Sequence, residues 1–305
     1  MHIFDHTIKP ILLYGCEVWG VCSPLSASVR NEPDFKIEKA YMNFECEKLS
    51  TKYYKYILGV HKKATNLAVI GDLGRTPYYI DIICGIIKYM KRIEAMDNDS
   101  LLFQTLQTNK ELHNNSKQCW YTGVSFIFDQ LNINDSMSID DIKYKLVKRS
   151  MHNWEKQMKE VAIDKQGKLR TYYTFKSTFK KEVYLKVIKN SAIRKCFTQF
   201  RLSAHHLAIE RGRYKKNIKS GDRICKYCHN NETEDEVHFL INCPKYSLVR
   251  TKLFSYIEQL CKNFKDLTNE NKFIWLMTNE DTGIITKLSS HIFTCFEIRK
   301  QHSSN

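Results

Sequence analysis

Apolar side chains recur every three or four residues through most of the chain, the spacing that places them on one face of an α-helix. Residues 37–58 show this spacing and are predicted to be largely helical. A second helix is predicted over residues 76–96, with Thr76 as the N-cap and Pro77 as the first helical residue. Two glycines in the intervening segment LAVIGDLGR (67–75) predict a connector between these helices.

The same spacing predicts further helices at residues 138–158, residues 177–190, residues 192–210, a segment with Val249, Leu253, Ile257 and Leu260 on one face, and residues 282–299. The polar stretches 97–100 and 108–118 are predicted as surface loops, and residues 164–168 as a linker. With only 5 Pro and 11 Gly, the chain is predicted to be mainly α-helical and not a strand-rich sandwich.

Composition and charge predict that the chain consists of five segments. They are a helical region (1–100), a helical connector (101–164), basic aromatic-rich helices (165–220), a small Cys-Cys-His-Cys segment (221–250) and C-terminal helices (251–305). A length of 305 residues with 43% hydrophobic content allows a buried core. No signal peptide is recognised, and no uncharged apolar run reaches the roughly 18 residues that cross a bilayer, so no membrane partner is expected.

Positive charge is concentrated in residues 165–220. The whole chain has a formal net charge of +15, and this segment alone holds 16 Lys and Arg against 2 Asp and Glu. Residues 1–164 hold 21 against 20, and residues 221–305 hold 11 against 11. Such an excess of positive over negative charge in one segment indicates a polyanion partner, with RNA or DNA as the leading candidate. An acidic membrane surface is the weaker alternative, because no apolar stripe faces the lysines.

Aromatic and cationic residues alternate within the basic segment, so exposed rings can stack on bases while the cations neutralise phosphates. A place in the core is the ordinary expectation for most of the individual rings. The candidate nucleic-acid-binding residues are Lys180, Lys181, Arg194, Lys195, Arg201, His205, Arg211, Arg213, Lys215 and Lys216.

The 11 cysteines are odd in number and mostly scattered singly, which does not fit a disulfide framework and indicates a reducing, intracellular compartment. Cys225, Cys228, His238 and Cys243 follow the order Cys-x2-Cys-x9-His-x4-Cys. Three thiolates and one imidazole complete the tetrahedral shell of a structural Zn²⁺ and leave no coordination position for a substrate. His229 is an alternative to a neighbouring ligand.

Catalytic motifs are not recognised in the sequence. Asp140 and Asp141 form an adjacent carboxylate pair, but the pattern around them is that of a helix start and the residue two before them is Ser138, not an aromatic. The sequence contains no Gly-x-Ser-x-Gly, no phosphate-binding glycine loop and no His-Glu-x-x-His. The chain is therefore not expected to be an enzyme on its own.

Several segments together resemble the C-terminal half of the reverse transcriptases of LINE-like, non-LTR retrotransposons. They are PILLYGCEVWG (10–20), YILGV (56–60) followed by VIGDLGRTP (69–77), RLSAHHLAIERGRY (201–214) and DRICKYCHNNETEDEVHFLINCPKYSLVR (222–250). The order of these segments and the residues Glu236, Phe239, Leu240, Tyr246 and Arg250 around the cysteine cluster carry the resemblance. It extends over nearly the whole chain.

The resemblance implies that residues 1–100 are thumb and post-thumb helices, which in this family follow the template-primer duplex. It implies that the basic segment and the zinc knuckle contact element RNA or target DNA during target-primed reverse transcription, in the nucleus. The family's fingers and palm, with the Phe/Tyr-x-Asp-Asp hairpin, should precede residue 10, where only nine residues stand. We therefore expect a truncated element or partial gene model, which would polymerise only with a separate palm chain.

A non-catalytic, zinc-containing nucleic-acid-binding fragment is the function that these features favour. The alternative is a zinc-stabilised helical scaffold that binds an acidic protein partner. Salt dependence of binding and competition by polynucleotide distinguish the two. The choice between RNA and DNA stays open at the level of the sequence.

Overall fold

The structure is a computed structural model that describes residues 3–22, 25–26, 30, 36–164, 167–215 and 218–301. Within these ranges the protein is mainly α-helical, which confirms the predicted fold class, and it has no β-strand. An antiparallel bridge pairs Ile224 with Thr233. The centre of the predicted linker (residues 165–166) and Lys216 lie outside the described residues.

The α-helices of the described residues are α1 (Lys9–Leu12), α2 (Cys16–Cys22), α3 (Ile37–Met42), α4 (Glu45–Leu58), α5 (Asn66–Leu73), α6 (Tyr79–Glu94), α7 (Leu101–Asn114), α8 (Trp120–Leu131), α9 (Ile139–Ala162), α10 (Tyr172–Phe175), α11 (Tyr184–Val187), α12 (Ser191–Arg201), α13 (Ala208–Arg211), α14 (Ser247–Leu260), α15 (Asn269–Thr278) and α16 (Thr282–Gln301). Short 3₁₀ turns occupy Gly212–Tyr214, Ser220–Asp222, Pro244–Tyr246 and Lys262–Asp266, and π-type turns occupy Phe4–Ile8 and His238–Asn242.

The chain divides into two compact units, each built from two stretches of sequence. Unit 1 comprises residues 1–51 and 76–153, and unit 2 comprises residues 52–75 and 154–305. The candidate metal ligands and the basic segment belong to unit 2. The division into five predicted segments stays a prediction.

Unit 1 is packed around α6, which contacts α2 through small residues. At Gly20 in α2, a Cβ atom would stand 2.5 Å from Ile82 Cγ2, so only glycine permits this approach. Helix α8 approaches α2 in the same way at Gly123. The Trp120 indole, at the start of α8, donates to the carbonyl oxygen of Glu17 at 3.0 Å. These contacts fix the order of helices within unit 1.

A buried carboxylate holds the start of α6. Glu47 accepts hydrogen bonds from the backbone N–H groups of Tyr78 and Tyr79, which a helix start leaves without intrahelical partners. Burial raises the pKa of Glu47 to about 7. The prediction that Thr76 caps this helix is therefore wrong, because the side chain that satisfies these donors comes from α4.

Unit 2 buries a polar cluster around Asp72, inside the segment predicted as a connector. Residues 66–73 form helix α5, which ends at Gly74 with a left-handed φ of 58°. Asp72 is 0% exposed and accepts hydrogen bonds from Tyr172 Oη at 2.8 Å, Tyr184 Oη at 2.9 Å and Arg201 Nε at 3.3 Å. The cluster therefore joins α5 to α10, α11 and α12.

The long predicted helices at 138–158 and 282–299 are confirmed as α9 and α16. Two other predictions are corrected. Residues 37–58 form two helices, with a break at Asn43 and Phe44. The predicted loop 108–118 is largely helical, because α7 begins after Ser100, whose Oγ accepts from Phe103 N at 3.2 Å.

The basic segment is less helical than its sequence predicts. Of the predicted helix 177–190, only α11 forms, and Glu182 N donates to the carbonyl oxygen of Asp72 at 2.9 Å instead of to a helical neighbour. The predicted helix 192–210 ends at Arg201 and resumes as α13. Helices α8 and α15 were not predicted from the sequence. Among the described helices, none combines the length and apolar composition that crossing a membrane requires.

Candidate metal centre

A short hairpin positions the first two cysteines. Its two arms pair at Ile224 and Thr233, and Cys225 N donates to the carbonyl oxygen of Glu232 at 2.9 Å. The loop between the arms contains Asn231 at a φ of 52°, a conformation that asparagine tolerates better than most residues. Cys225 thereby stands at the base of the hairpin, and Cys228 stands in its loop.

A tight helical turn supplies the other two ligand candidates. Asp235 Oδ1 accepts from His238 N at 2.8 Å and caps the turn His238–Asn242, which ends at Cys243. His238 is thus the first residue of the turn, and Cys243 follows directly after its last residue. Arg250 Nη2 donates to the carbonyl oxygen of Cys243 at 2.6 Å, which holds the end of the turn in place.

The four side chains converge on one point. Their ligand atoms all lie within 4.8 Å of one another, with 4.0 Å between Cys225 Sγ and Cys243 Sγ and 3.5 Å between Cys228 Sγ and His238 Nε2. A tetrahedral zinc ion, with Zn–S bonds of about 2.3 Å and a Zn–N bond of about 2.0 Å, separates two sulfurs by about 3.8 Å and sulfur from nitrogen by about 3.5 Å. The donor set could therefore hold a metal ion, and its geometry is consistent with zinc.

Carboxylate contact selects which nitrogen of His238 faces the cysteines. His238 Nδ1 lies 2.7 Å from Glu232 Oε2, so Nε2 points toward the sulfurs. This pairing is the usual support for a histidine that ligates a metal. Burial lowers the pKa of His238, but hydrogen bonds with Cys225 and Glu232 outweigh it and raise the pKa to about 9.

The two buried cysteines lie within hydrogen-bond distance of each other, with their sulfur atoms 4.0 Å apart. The hydrogen bond with Cys243, followed by burial, raises the pKa of Cys225 to about 12, and the same hydrogen bond lowers the pKa of Cys243. A dication among these atoms favours thiolates and a neutral imidazole, so metal binding would be coupled to the release of protons. Within the described residues, this is the one group of three or more Cys, His, Asp or Glu side chains close enough to hold a metal ion.

Acidic residues beside the cluster fasten it to the rest of unit 2. Glu234 accepts from both terminal nitrogens of Arg299 and from Ala208 N at 2.7 Å. Glu236 is 0% exposed and accepts from Arg170 Nη2 at 2.5 Å. Burial raises the pKa of Glu236, but the positive charge of Arg170 and the interactions with His205 together outweigh it and hold this pKa well below its usual range.

Two of the predicted nucleic-acid-binding residues are in the interior. Arg201 is 2% exposed, and its guanidinium pairs with Asp72 and Glu182. His205 is 5% exposed, and its Nε2 lies 2.8 Å from Glu236 Oε1. The prediction for both side chains is corrected, because a phosphate cannot reach them.

The other predicted residues are distributed over the surface of unit 2. Arg213 is half-buried and pairs with Glu210, Lys180 pairs with Glu280, and Arg194 donates to the carbonyl oxygen of Ile188. The remaining described candidates are exposed and have no carboxylate of the described residues within ion-pair distance; they are Lys181, Lys195, Arg211 and Lys215. Lys216 lies outside the described residues.

A cationic surface at Tyr214 was not predicted from the sequence. This ring is 54% exposed, Lys63 Nζ lies 4.2 Å from its centroid, and Lys168 Nζ donates to its hydroxyl at 2.9 Å. Lys168 Nζ also donates to the carbonyl oxygen of Lys63 at 2.8 Å. Tyr214 and Lys168 were visible as members of the basic segment, but nothing in the sequence brings Lys63 to them.

The fold and the cluster define a mainly α-helical protein with a candidate Cys₃His metal centre. No family model matches the chain. No curated protein matches it. No solved structure matches it either.

Proposed function

We propose that this protein is a non-catalytic, zinc-containing nucleic-acid-binding segment of a reverse transcriptase of a LINE-like, non-LTR retrotransposon. The Cys₃His donor set supports the zinc part, because three thiolates and an imidazole fill a tetrahedral shell. Zinc held in this way stabilises a fold and has no position left for a reacting water. The order of the four sequence segments named above supports the retroelement origin.

The surface at Tyr214 carries the nucleic-acid part of the proposal. An exposed ring with two lysines beside it can stack on an unpaired base while the ammonium groups neutralise the flanking phosphates. Such stacking contributes about 1–3 kcal/mol per base and does not depend on base identity.

Crowding of positive charge around the same surface supports this interpretation. Burial, followed by the nearby charge of Lys168, lowers the pKa of Lys55. Burial and then Lys168 and His206 lower the pKa of His61. A polyanion would relieve this repulsion, and its binding would therefore weaken as salt screens the charges.

The test is binding of the full chain to single-stranded RNA and DNA, followed by fluorescence anisotropy over a series of salt concentrations. If about six phosphates are neutralised, the log–log slope should be about −4, since each contact on a single strand contributes about −0.7. Tyr214→Leu should weaken binding about tenfold, because one stacked base is lost. Tyr214→Phe keeps the ring and should change the affinity little.

Tyr144→Leu is the matched control. Tyr144 is 63% exposed and has Lys148 Nζ 5.2 Å from its ring, but it lies on α9 outside the basic segment. We expect this variant to bind as the unaltered chain does. Binding that does not change with salt, or competition by polyglutamate equal to that by polynucleotide, would contradict the proposal and favour the acidic-protein scaffold.

A further inference from the structure

A cleft of about 220 Å³ opens beside the candidate metal centre. Its walls come from three parts of unit 2. Arg211 and Lys215 stand on one side, at α13 and the turn that follows it, and Arg223 and Lys226 stand on the hairpin. Arg299, near the end of α16, completes the lining. Five cations therefore surround one concave space.

The negative charges in this lining do not balance the positive ones. Glu234 is buried, and both of its oxygens already accept hydrogen bonds from Arg299. The other acid is Asp222, which is exposed. Arg211, Lys215 and Lys226 are exposed, and no carboxylate of the described residues lies within ion-pair distance of them. The cleft therefore presents a net positive charge.

Arg223 forms a rigid part of the wall. Its Nη1 donates to the carbonyl oxygen of Ile209 at 2.7 Å and its Nη2 to that of Ile218 at 3.3 Å. Its aliphatic chain packs on Gly212, where a Cβ atom would stand 2.5 Å from Arg223 Cδ. The guanidinium is thus held in place among other cations, and an anion would relieve their repulsion.

The metal centre determines the position of another part of the wall. Lys226 and Tyr227 are the two residues between Cys225 and Cys228, so a metal ion bound by these cysteines fixes the backbone that carries both. The guanidinium of Arg299 lies 4.1 Å from the centroid of the Tyr227 ring and ties this loop to α16. The arrangement of cations is therefore set before any ligand arrives.

We infer that this cleft binds phosphate groups, with Arg211, Lys215 and Lys226 as the exposed contacts and Arg223 as the contact that backbone carbonyl oxygens hold in place. A phosphate group can come from a polynucleotide backbone or from a small phosphate compound. The assignment to a polynucleotide rests on the proposed function, whereas phosphate binding by the cleft does not. Arg213 has no part in it, because its guanidinium is held by Glu210.

The experiment has two arms, both on the full chain with its metal. The first measures pyrophosphate binding by calorimetry, and the second measures the salt slope for a single-stranded oligonucleotide. The double variant Arg211→Gln, Lys215→Gln should lower pyrophosphate affinity at least tenfold and reduce the magnitude of the oligonucleotide slope by about 1.4, since two contacts are lost. Lys226→Gln should lower pyrophosphate affinity as well.

Lys186→Gln, Lys189→Gln is the matched control, because both lysines are exposed members of the basic segment and neither lines the cleft. It removes the same charge and should leave pyrophosphate affinity unchanged. Pyrophosphate binding without oligonucleotide binding would support the cleft and overturn the proposed function. Oligonucleotide binding with no pyrophosphate binding, or an equal loss in the control, would overturn the cleft and leave the proposed function standing.

Discussion

At the scale of single residues, Asp72 forms the centre of a buried network of hydrogen bonds and ion pairs. Its carboxylate is completely buried and accepts from two tyrosine hydroxyls and from the guanidinium of Arg201. A buried charge is tolerated only when it is paired and hydrogen-bonded, and each group of this cluster satisfies another. The negative charge of Asp72, followed by that of Glu182, outweighs burial and raises the pKa of Arg201. The cluster is thus a structural ion-pair network and not a binding site.

Asp72→Asn should lower the free energy of unfolding by about 3–5 kcal/mol, because it removes the fully buried member of the two carboxylates that pair with the guanidinium of Arg201. Tyr184→Phe removes one hydrogen bond to the same carboxylate and should cost about 1 kcal/mol. Urea unfolding followed by circular dichroism measures both. A loss for Asp72→Asn no larger than that for Tyr184→Phe would show that the ion pair has no special role.

At the scale of elements, the C-terminal end of α5 fixes the backbone position of residues 180–182 in the basic segment. Gly74 has a φ of 58° and lies so close to the following chain that a Cβ atom would stand 2.5 Å from the backbone nitrogen of Lys181. Beside it, Glu182 N donates to the carbonyl oxygen of Asp72 at 2.9 Å. The helix end and residues 180–182 therefore pack backbone against backbone.

Gly74→Ala should destabilise the protein by about 1–3 kcal/mol, because alanine is strained at this φ and its methyl group meets backbone that cannot rotate away. Gly221→Ala is the control, since no heavy atom lies within 4 Å of the Cβ it would add. Its effect should stay within about 0.5 kcal/mol. Midpoints of thermal unfolding for the two variants check the difference, and equal midpoints would contradict the argument.

The width of the apolar face determined which elements the sequence predicted correctly. Helix α16 buries apolar residues along most of its length and was predicted almost to the residue. Helix α7 buries only Leu106, so its polar sequence resembled a loop. Residues 177–190 show helical spacing, but contacts with α5 override it. The sequence contains the side chains that make those contacts but not the distances that select them.

The residues of the candidate site also differ in whether the sequence could predict them. The four ligands could be predicted, because the spacing of Cys225, Cys228, His238 and Cys243 is itself a chemical signal. The contact of Glu232 with His238 could not be predicted. Several acidic residues lie near the cluster in the sequence, and only the fold of the hairpin brings Glu232 to His238. The Tyr214 surface and the cationic cleft likewise join residues that are distant in sequence.

At the scale of the whole molecule, the formal charge overstates the charge available at the surface. The net charge is +15, and the basic segment holds nearly all the excess. In the structure, however, Arg170, Lys176, Arg201 and Arg213 pair with carboxylates inside unit 2. A block that is basic in sequence is therefore partly an internal ion-pair network, and the exposed cations that remain are fewer and more localised.

Metal removal should affect one region of the molecule and spare others. We expect one zinc ion per chain by native mass spectrometry, and we expect chelation to remove the hydrogen-exchange protection of the hairpin at residues 223–234, since a single β-bridge pairs its arms. Cys228→Ser should have the same effect without a chelator. The control is Cys261→Ser, which changes a half-buried cysteine outside the cluster and should leave the protection of the hairpin unchanged. Unchanged protection in the chelated chain would exclude a structural metal.

The contact between Glu234 and Arg299 has a consequence for synthesis on the ribosome. The hairpin residues emerge early enough to bind a metal ion, but the carboxylate of Glu234 acquires its guanidinium partner only after α16 has been translated almost completely. Until then the nascent hairpin carries an acid with no cation to bury it against. Closure of this part of unit 2 therefore follows the synthesis of α16, and a nascent chain that lacks Arg299 would carry Glu234 without its guanidinium partner.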